Sequence, residues 1–168
     1  MFGSFLKTKG TLQALEIEDK KINKQLATHL KAIKKTMNMF KEYIRQGAPF
    51  IKDKYYQNLV DELNESLHLL TLLRRHVEEV QSIEQQYQHL IVIQDKEYLQ
   101  EKYEQITMMY RELDYLKQLM QARPSAQELE HEFIEKIEHL LYDLEVHLDK
   151  LLTIDEQLRT IYTKLHKL

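Results

Sequence analysis

Apolar residues recur along almost the whole chain at steps of three, four or seven, the spacing that gathers them on one face of an α-helix. The first stripe is Leu12, Leu15, Ile22, Leu26, Leu30, Ile33, Met37, Phe40 and Ile44. The second runs through Tyr56, Leu59, Leu63, Leu67, Leu70, Leu73, Val77, Val80, Ile83, Tyr87 and Leu90. Leu69 and Leu72 widen it, so this helix should meet more than one neighbour. The third is Leu99, Tyr103, Ile106, Tyr110, Leu113, Leu116 and Met120, and the fourth continues from Leu129 through Ile137, Leu144, Leu151 and Leu158 to Leu168. Polar and charged residues fill the positions between. The pattern predicts an all-α fold, an antiparallel bundle of three to four long helices with coiled-coil-like packing. The helices are expected at about 11–46, 51–92, 96–121 and 126–167, in a single domain of residues 11–168 behind an apolar and basic tail of residues 1–10.

Two segments read as turns. In Gln46-Gly47-Ala48-Pro49, Gly47 can adopt the left-handed conformation that ends a helix, and Pro49 stops its continuation. In Ala122-Arg123-Pro124-Ser125, Ser125 precedes Glu128 by three residues, the spacing of a capping box. The third join is ambiguous. Asp95 has the chemistry of an N-cap, yet the seven-residue step from Ile91 to Tyr98 also suits an unbroken helix more than 100 Å long at about 1.5 Å per residue. A break or kink near residues 93–96 is the favoured reading, because an isolated helix of that length has nothing to pack against at its far end. Residues 68–86 aligned on 139–157 share seven identities, among them His68/His139 and His76/His147, which hints at two related hairpins.

Composition then narrows the chemistry. Of 168 residues only Gly3, Gly10 and Gly47 are glycine, and none falls in the last 121. Phosphate-binding loops, nucleophile elbows and tight hairpins need backbone at positive φ or close to a ligand, so those enzyme architectures are nearly excluded. The absence of cysteine removes disulfides, thiol catalysis and cysteine zinc sites. No stretch resembles a signal peptide or a spanning helix, and a cytoplasmic protein is expected. The ten tyrosines and most of the methionines fall on or beside the stripes, where they read as core and interface residues.

Charge is segregated along the chain. Residues 1–54 carry a net +7 and residues 55–168 a net −10. One reading packs a basic first helix against acidic later ones. Another makes Lys20, Lys21, Lys24, Lys31, Lys34 and Lys35 a surface for an acidic partner or an anionic membrane. The acidic total, with a pI near 6.2, argues against nucleic acid.

Metal chemistry has two sequence candidates. Glu-x-x-His, the pattern of di-metal carboxylate bundles, occurs as Glu65/His68 and Glu128/His131, but about one match is expected by chance in so Glu-rich a chain. His139, Asp143 and His147 lie at i, i+4 and i+8, the spacing of half a metal site. Both sets border the apolar stripes, so neither a metal nor any other cofactor is expected to be required.

The N-terminal Met1-Phe2-Gly3-Ser4-Phe5-Leu6-Lys7 sets Phe2, Phe5 and Leu6 beside lysines, as in a short amphipathic anchor. An apolar N-terminal segment, a basic first helix, a short turn and a longer second helix is similar in organisation to ESCRT-III-like proteins, although the second helix here is acidic where theirs is basic. That likeness implies peripheral membrane binding or remodelling. The expectation the residues support best is a non-enzymatic scaffold or adaptor that self-associates or binds a helical partner. A membrane-remodelling protein and a metal-binding regulatory bundle are the alternatives.

Overall fold

Among the described residues four helices run up, down, up and down. The structure, a computed structural model, describes the backbone of residues 2–48, 50–86 and 93–166 and the side chains of 10–48, 50–86 and 96–160. Helix α1 is Phe2–Arg45, α2 is Asp53–Gln86 and α3 is Ile93–Gln121. Helix α4 occupies residues 126–166 and is built from Ala126–Glu128, a π-helical turn at Leu129–Phe133, and Ile134–His166. Cross-helix contacts fix every neighbouring pair as antiparallel. Phe40 meets Tyr56, Arg74 lies over Tyr110, His147 bonds Gln105, and Lys34 pairs with Glu145. Each helix therefore has two neighbours, α1 touching α2 and α4, and α3 touching the same two.

Two expected helix boundaries shift. Helix α1 begins ahead of the expected residue 11, being helical from Phe2 and continuous through Gly10. A glycine inside a helix costs about 1 kcal/mol relative to alanine. That is too little to stop a helix hydrogen-bonded on both sides, and Gly10 does not take the positive φ that Gly47 does. The break expected at 93–96 does not fall there, because α3 is helical from Ile93. The backbone of Asp95 is thus already helical rather than in a cap ahead of α3. Helix α2 is described to Gln86 and α3 from Ile93, and residues 87–92 are outside the described residues.

The two expected turns form as their chemistry requires. Gly47 at φ 74° closes α1 in a Schellman arrangement, with Ala48 N donating to Tyr43 O and Gly47 N to Ile44 O, both at 3.0 Å. The second turn puts Arg123, a residue with a Cβ, at φ 51°. Side-chain bonds hold it there: Arg123 Nε donates to Asp53 and Nη1 to Gln121 O at 2.9 Å. Ser125 then caps α4, its Oγ accepting from Glu128 N at 3.1 Å and donating to Glu128 Oε1 at 3.2 Å. The buried Tyr56 hydroxyl donates to Pro124 O and pins this turn onto the start of α2. Burial, with Glu128 nearby, pushes the Tyr56 phenol up to about 12. Tyr56→Phe strands that carbonyl and is expected to cost about 1–2 kcal/mol, read as a melting temperature lower by several degrees.

The stripes meet in one continuous core. Leu26, Ile33 and Phe40 of α1, Leu59, Leu63, Leu70 and Leu73 of α2, Met109, Leu113 and Leu116 of α3, and Leu129 and Leu151 of α4 are fully enclosed. Each such side chain contributes roughly 1.5–3 kcal/mol of burial. The π turn keeps α4 in phase with this core. Leu129, Phe133 and Ile137 are spaced four and four, which overshoots an α-helix by about 40° per step, and the wider turn absorbs the excess. Among the described residues no helix is long and apolar enough to cross a membrane.

Candidate functional site

Helices α1 and α4 are neighbours in space at opposite ends of the chain, and among the described residues the seam between them is the least tightly closed of the four. Three clefts of about 440, 280 and 190 Å³ follow one another along it. Ala27 lines both the first and the second, while Lys34, Leu141 and Glu145 line both the second and the third. The result is a groove running from Leu12 and Arg159 at one end to Lys41 and Ile134 at the other. Its floor is apolar, with Leu15, Leu144 and Leu148, and Leu152 and Tyr142 stand 41% and 65% exposed along it. Lys20, Lys24 and Lys31 edge the α1 side, and Glu145 and Glu156 the α4 side. Lys34–Glu145, at 2.6 Å, and Lys41–Glu138 cross it. These pairs are solvent-exposed and therefore weak fasteners.

Under the widest cleft lies a buried polar layer with members from all four helices. Lys102 Nζ on α3 is 2.9 Å from Asp19 Oδ2 on α1 and 2.6 Å from Asp155 Oδ1 on α4. His76 on α2 donates from Nδ1 to Asp19 Oδ1 at 2.5 Å, and Asn23 Nδ2 donates to Asp155 Oδ2 at 2.5 Å. Burial opposes charging Lys102, but Asp155 and Asp19 outweigh it and hold its pKa above the ordinary value. His76 is likewise raised, chiefly by its hydrogen bond to Asp19 against the cost of burial. With His76 protonated the layer is neutral, two carboxylates against two cations. The sequence analysis did not single out these residues. Their signal was there to find, since Asp19, His76 and Lys102 each sit at the phase of an apolar stripe: Leu15-Asp19-Ile22, Leu73-His76-Val80, Leu99-Lys102-Ile106.

The residues singled out from sequence are distributed as follows. Lys20, Lys21, Lys24, Lys31, Lys34 and Lys35 are all exposed on α1. Lys34 is engaged by Glu145, and among the described residues the other five have no acidic group in ion-pair range. The packing of basic α1 against acidic partners thus accounts for Lys34 and Lys41 and leaves most of the lysines to solvent. Phe2, Phe5 and Leu6 belong to the backbone of α1, but their side chains lie outside the described residues. His139 and Asp143 are exposed, whereas His147 turns into the α3 seam, Nδ1 at 2.6 Å from Gln105 Oε1 and Nε2 at 3.4 Å from Glu112 Oε1. His147 is thus engaged by α3 partners, while His139 and Asp143 remain at the surface. Glu65, His68 and His131 face solvent, and Glu128 is taken up by the Ser125 cap. Among the described residues no three His, Asp or Glu side chains converge to hold a metal ion. Comparison of the chain with protein-family models, with curated proteins and with solved structures finds no match.

Proposed function

We propose that this protein is a non-enzymatic helical scaffold or adaptor, cytoplasmic, that receives an amphipathic helix of a protein partner in the α1–α4 groove. The observation that carries the reading is the run of three overlapping clefts along one seam, largely apolar inside, with lysines predominating on the α1 edge and carboxylates on the α4 edge, the Glu16–Arg159 pair at one end being the exception. Helix-in-groove recognition uses such a surface, with anchors at i, i+3, i+4 and i+7 filling successive hollows. The edges specify the partner's charges. Acidic residues should flank its apolar stripe on the side facing Lys20, Lys24 and Lys31, and basic residues on the side facing Glu145 and Glu156. The four stripes bury one another within the chain, so the groove is a better docking surface than the stripes themselves.

Ala27 offers the test, because it is exposed and sits where two clefts meet. Ala27→Trp fills the junction without touching the core. Affinity purification with the wild-type protein, with Ala27→Trp and with the remote control Tyr115→Glu should yield a partner lost only with Ala27→Trp. Truncation should map its bound segment to an amphipathic helix with the stated flanks. A captured partner indifferent to Ala27→Trp, or one bound through a segment with no helical apolar stripe, would overturn the reading.

A further inference from the structure

The outer face of α1 forms a single uninterrupted strip that carries no negative charge. Because α1 is one helix from Phe2 rather than two segments parted at Gly10, positions 2, 6, 9, 13, 17, 20, 24, 28, 31 and 35 follow one another at steps of three and four and share one face. The residues at these positions are Phe, Leu, Lys, Gln, Ile, Lys, Lys, Thr, Lys and Lys. Within residues 2–41 the acidic residues number three, and all three point elsewhere. Glu16 pairs with Arg159 of α4, Glu18 approaches His76 of α2 at 3.8 Å, and Asp19 is buried against Lys102. Lys21 stands exposed at the edge of the strip, and Ile17 within it is 72% exposed. From position 2 to position 35 the strip spans roughly 50 Å at about 1.5 Å per residue.

We propose that this face of α1 docks on an anionic lipid surface, with the lysines against headgroups and the exposed Ile17 entering the interface. A basic helical face with apolar residues in register lies in the plane of a membrane and is held by both terms. Two features favour lipid over an acidic protein or nucleic acid. Gln13, Ile17, Thr28 and Lys35 line none of the three clefts, so the outward side of the strip offers no hollow to read a partner's side chains. Nor does it expose an aromatic residue among its described positions on which bases would stack. The strip shares Lys20, Lys24 and Lys31 with the edge of the groove, and Ala27→Trp separates the two surfaces, since it should close the groove and leave vesicle binding intact.

Flotation of the whole chain with phosphatidylcholine vesicles, alone and mixed with phosphatidylserine, tests it. Binding is expected only to the anionic vesicles, weakening as salt rises. Lys20→Gln, Lys24→Gln and Lys31→Gln together should lower the partition coefficient about a hundredfold, at about fivefold per lysine. Ile17→Gln should lower it about tenfold. The control set Lys117→Gln, Lys136→Gln and Lys150→Gln, which removes equal charge from α3 and α4, should leave binding unchanged. All of these variants should melt with the wild type. The proposal is overturned if anionic vesicles are not bound, if the control set weakens binding as much as the α1 set, or if the strip binds heparin or RNA while ignoring vesicles.

Discussion

Lys102→Met is expected to lower the unfolding free energy by about 3–5 kcal/mol, the cost of removing one partner from a buried charge cluster. Methionine keeps most of the length and volume of lysine, so little of the loss comes from a cavity. What remains is Asp19 facing Asp155 with no cation between them, both largely enclosed. Such a pair takes up protons to relieve itself, so the loss should shrink as pH falls. Adding Asp19→Asn and Asp155→Asn removes the stranded charges while leaving His76 and Asn23 a hydrogen-bonding neighbour. This triple variant should recover most of the lost stability, measured by urea unfolding at neutral pH. A single-variant loss below about 1 kcal/mol, the range of solvated pairs, would show that water reaches the layer and that it is not a closed part of the core.

The layer also makes plain what was legible in the chain beforehand. The stripes, the Gly47 terminus and the Ser125 cap are local consequences of side-chain type and spacing, and all three appear where the residues put them as far as the described residues go, Pro49, Tyr87, Leu90 and Leu168 lying outside them. Gly10 and Asp95 misled for a common reason: each was read as a boundary from its own propensity, while helix continuity is decided over several turns. The polar layer was harder to see because its meaning depends on depth. Asp19, His76 and Lys102 look like faults in three separate stripes until antiparallel packing brings them to one level. The charge segregation was visible as a total, but only the structure divides it. It assigns Lys34 and Lys41 to partners on α4 and turns all three acidic residues before Glu42 away from the outer face. The α1–α4 groove could not have been read at all, since the fit of two helices distant in the chain follows from the side chains of both.

A second large effect is expected at Glu112, on the α3–α4 seam. Burial, aided by Asp143, pushes its carboxyl from 4.5 up to about 7, and its Oε2 is buried without a partner. Its neighbour His147 is displaced the other way, by burial first and by Lys150 second. The two shifts describe one arrangement. His147 donates from Nδ1 to Gln105 Oε1, which leaves Nε2 as the acceptor turned toward Glu112, and a protonated Glu112 is the donor that suits it. Folding therefore raises the proton affinity of Glu112, and the sign of the pH dependence follows. Between pH 4.5 and about 7 the folded state holds a proton that the unfolded state has lost, so stability falls as pH rises across that window and is level beyond it. His76 acts in the same direction, its contribution complete below its unfolded pKa near 6.5 and lost as pH rises through the raised folded value. Glu112→Gln keeps the shape and a donor for His147 while removing the charge. At pH 8 it should be more stable than the wild type by about 2–3 kcal/mol, the worth of that shift discounted for partial exposure. By pH 4.5 the difference should have closed. Melting curves of the two proteins across this range decide the matter, since profiles that run parallel would mean that Glu112 ionises on folding at its ordinary pKa and that the α3–α4 seam is open to water.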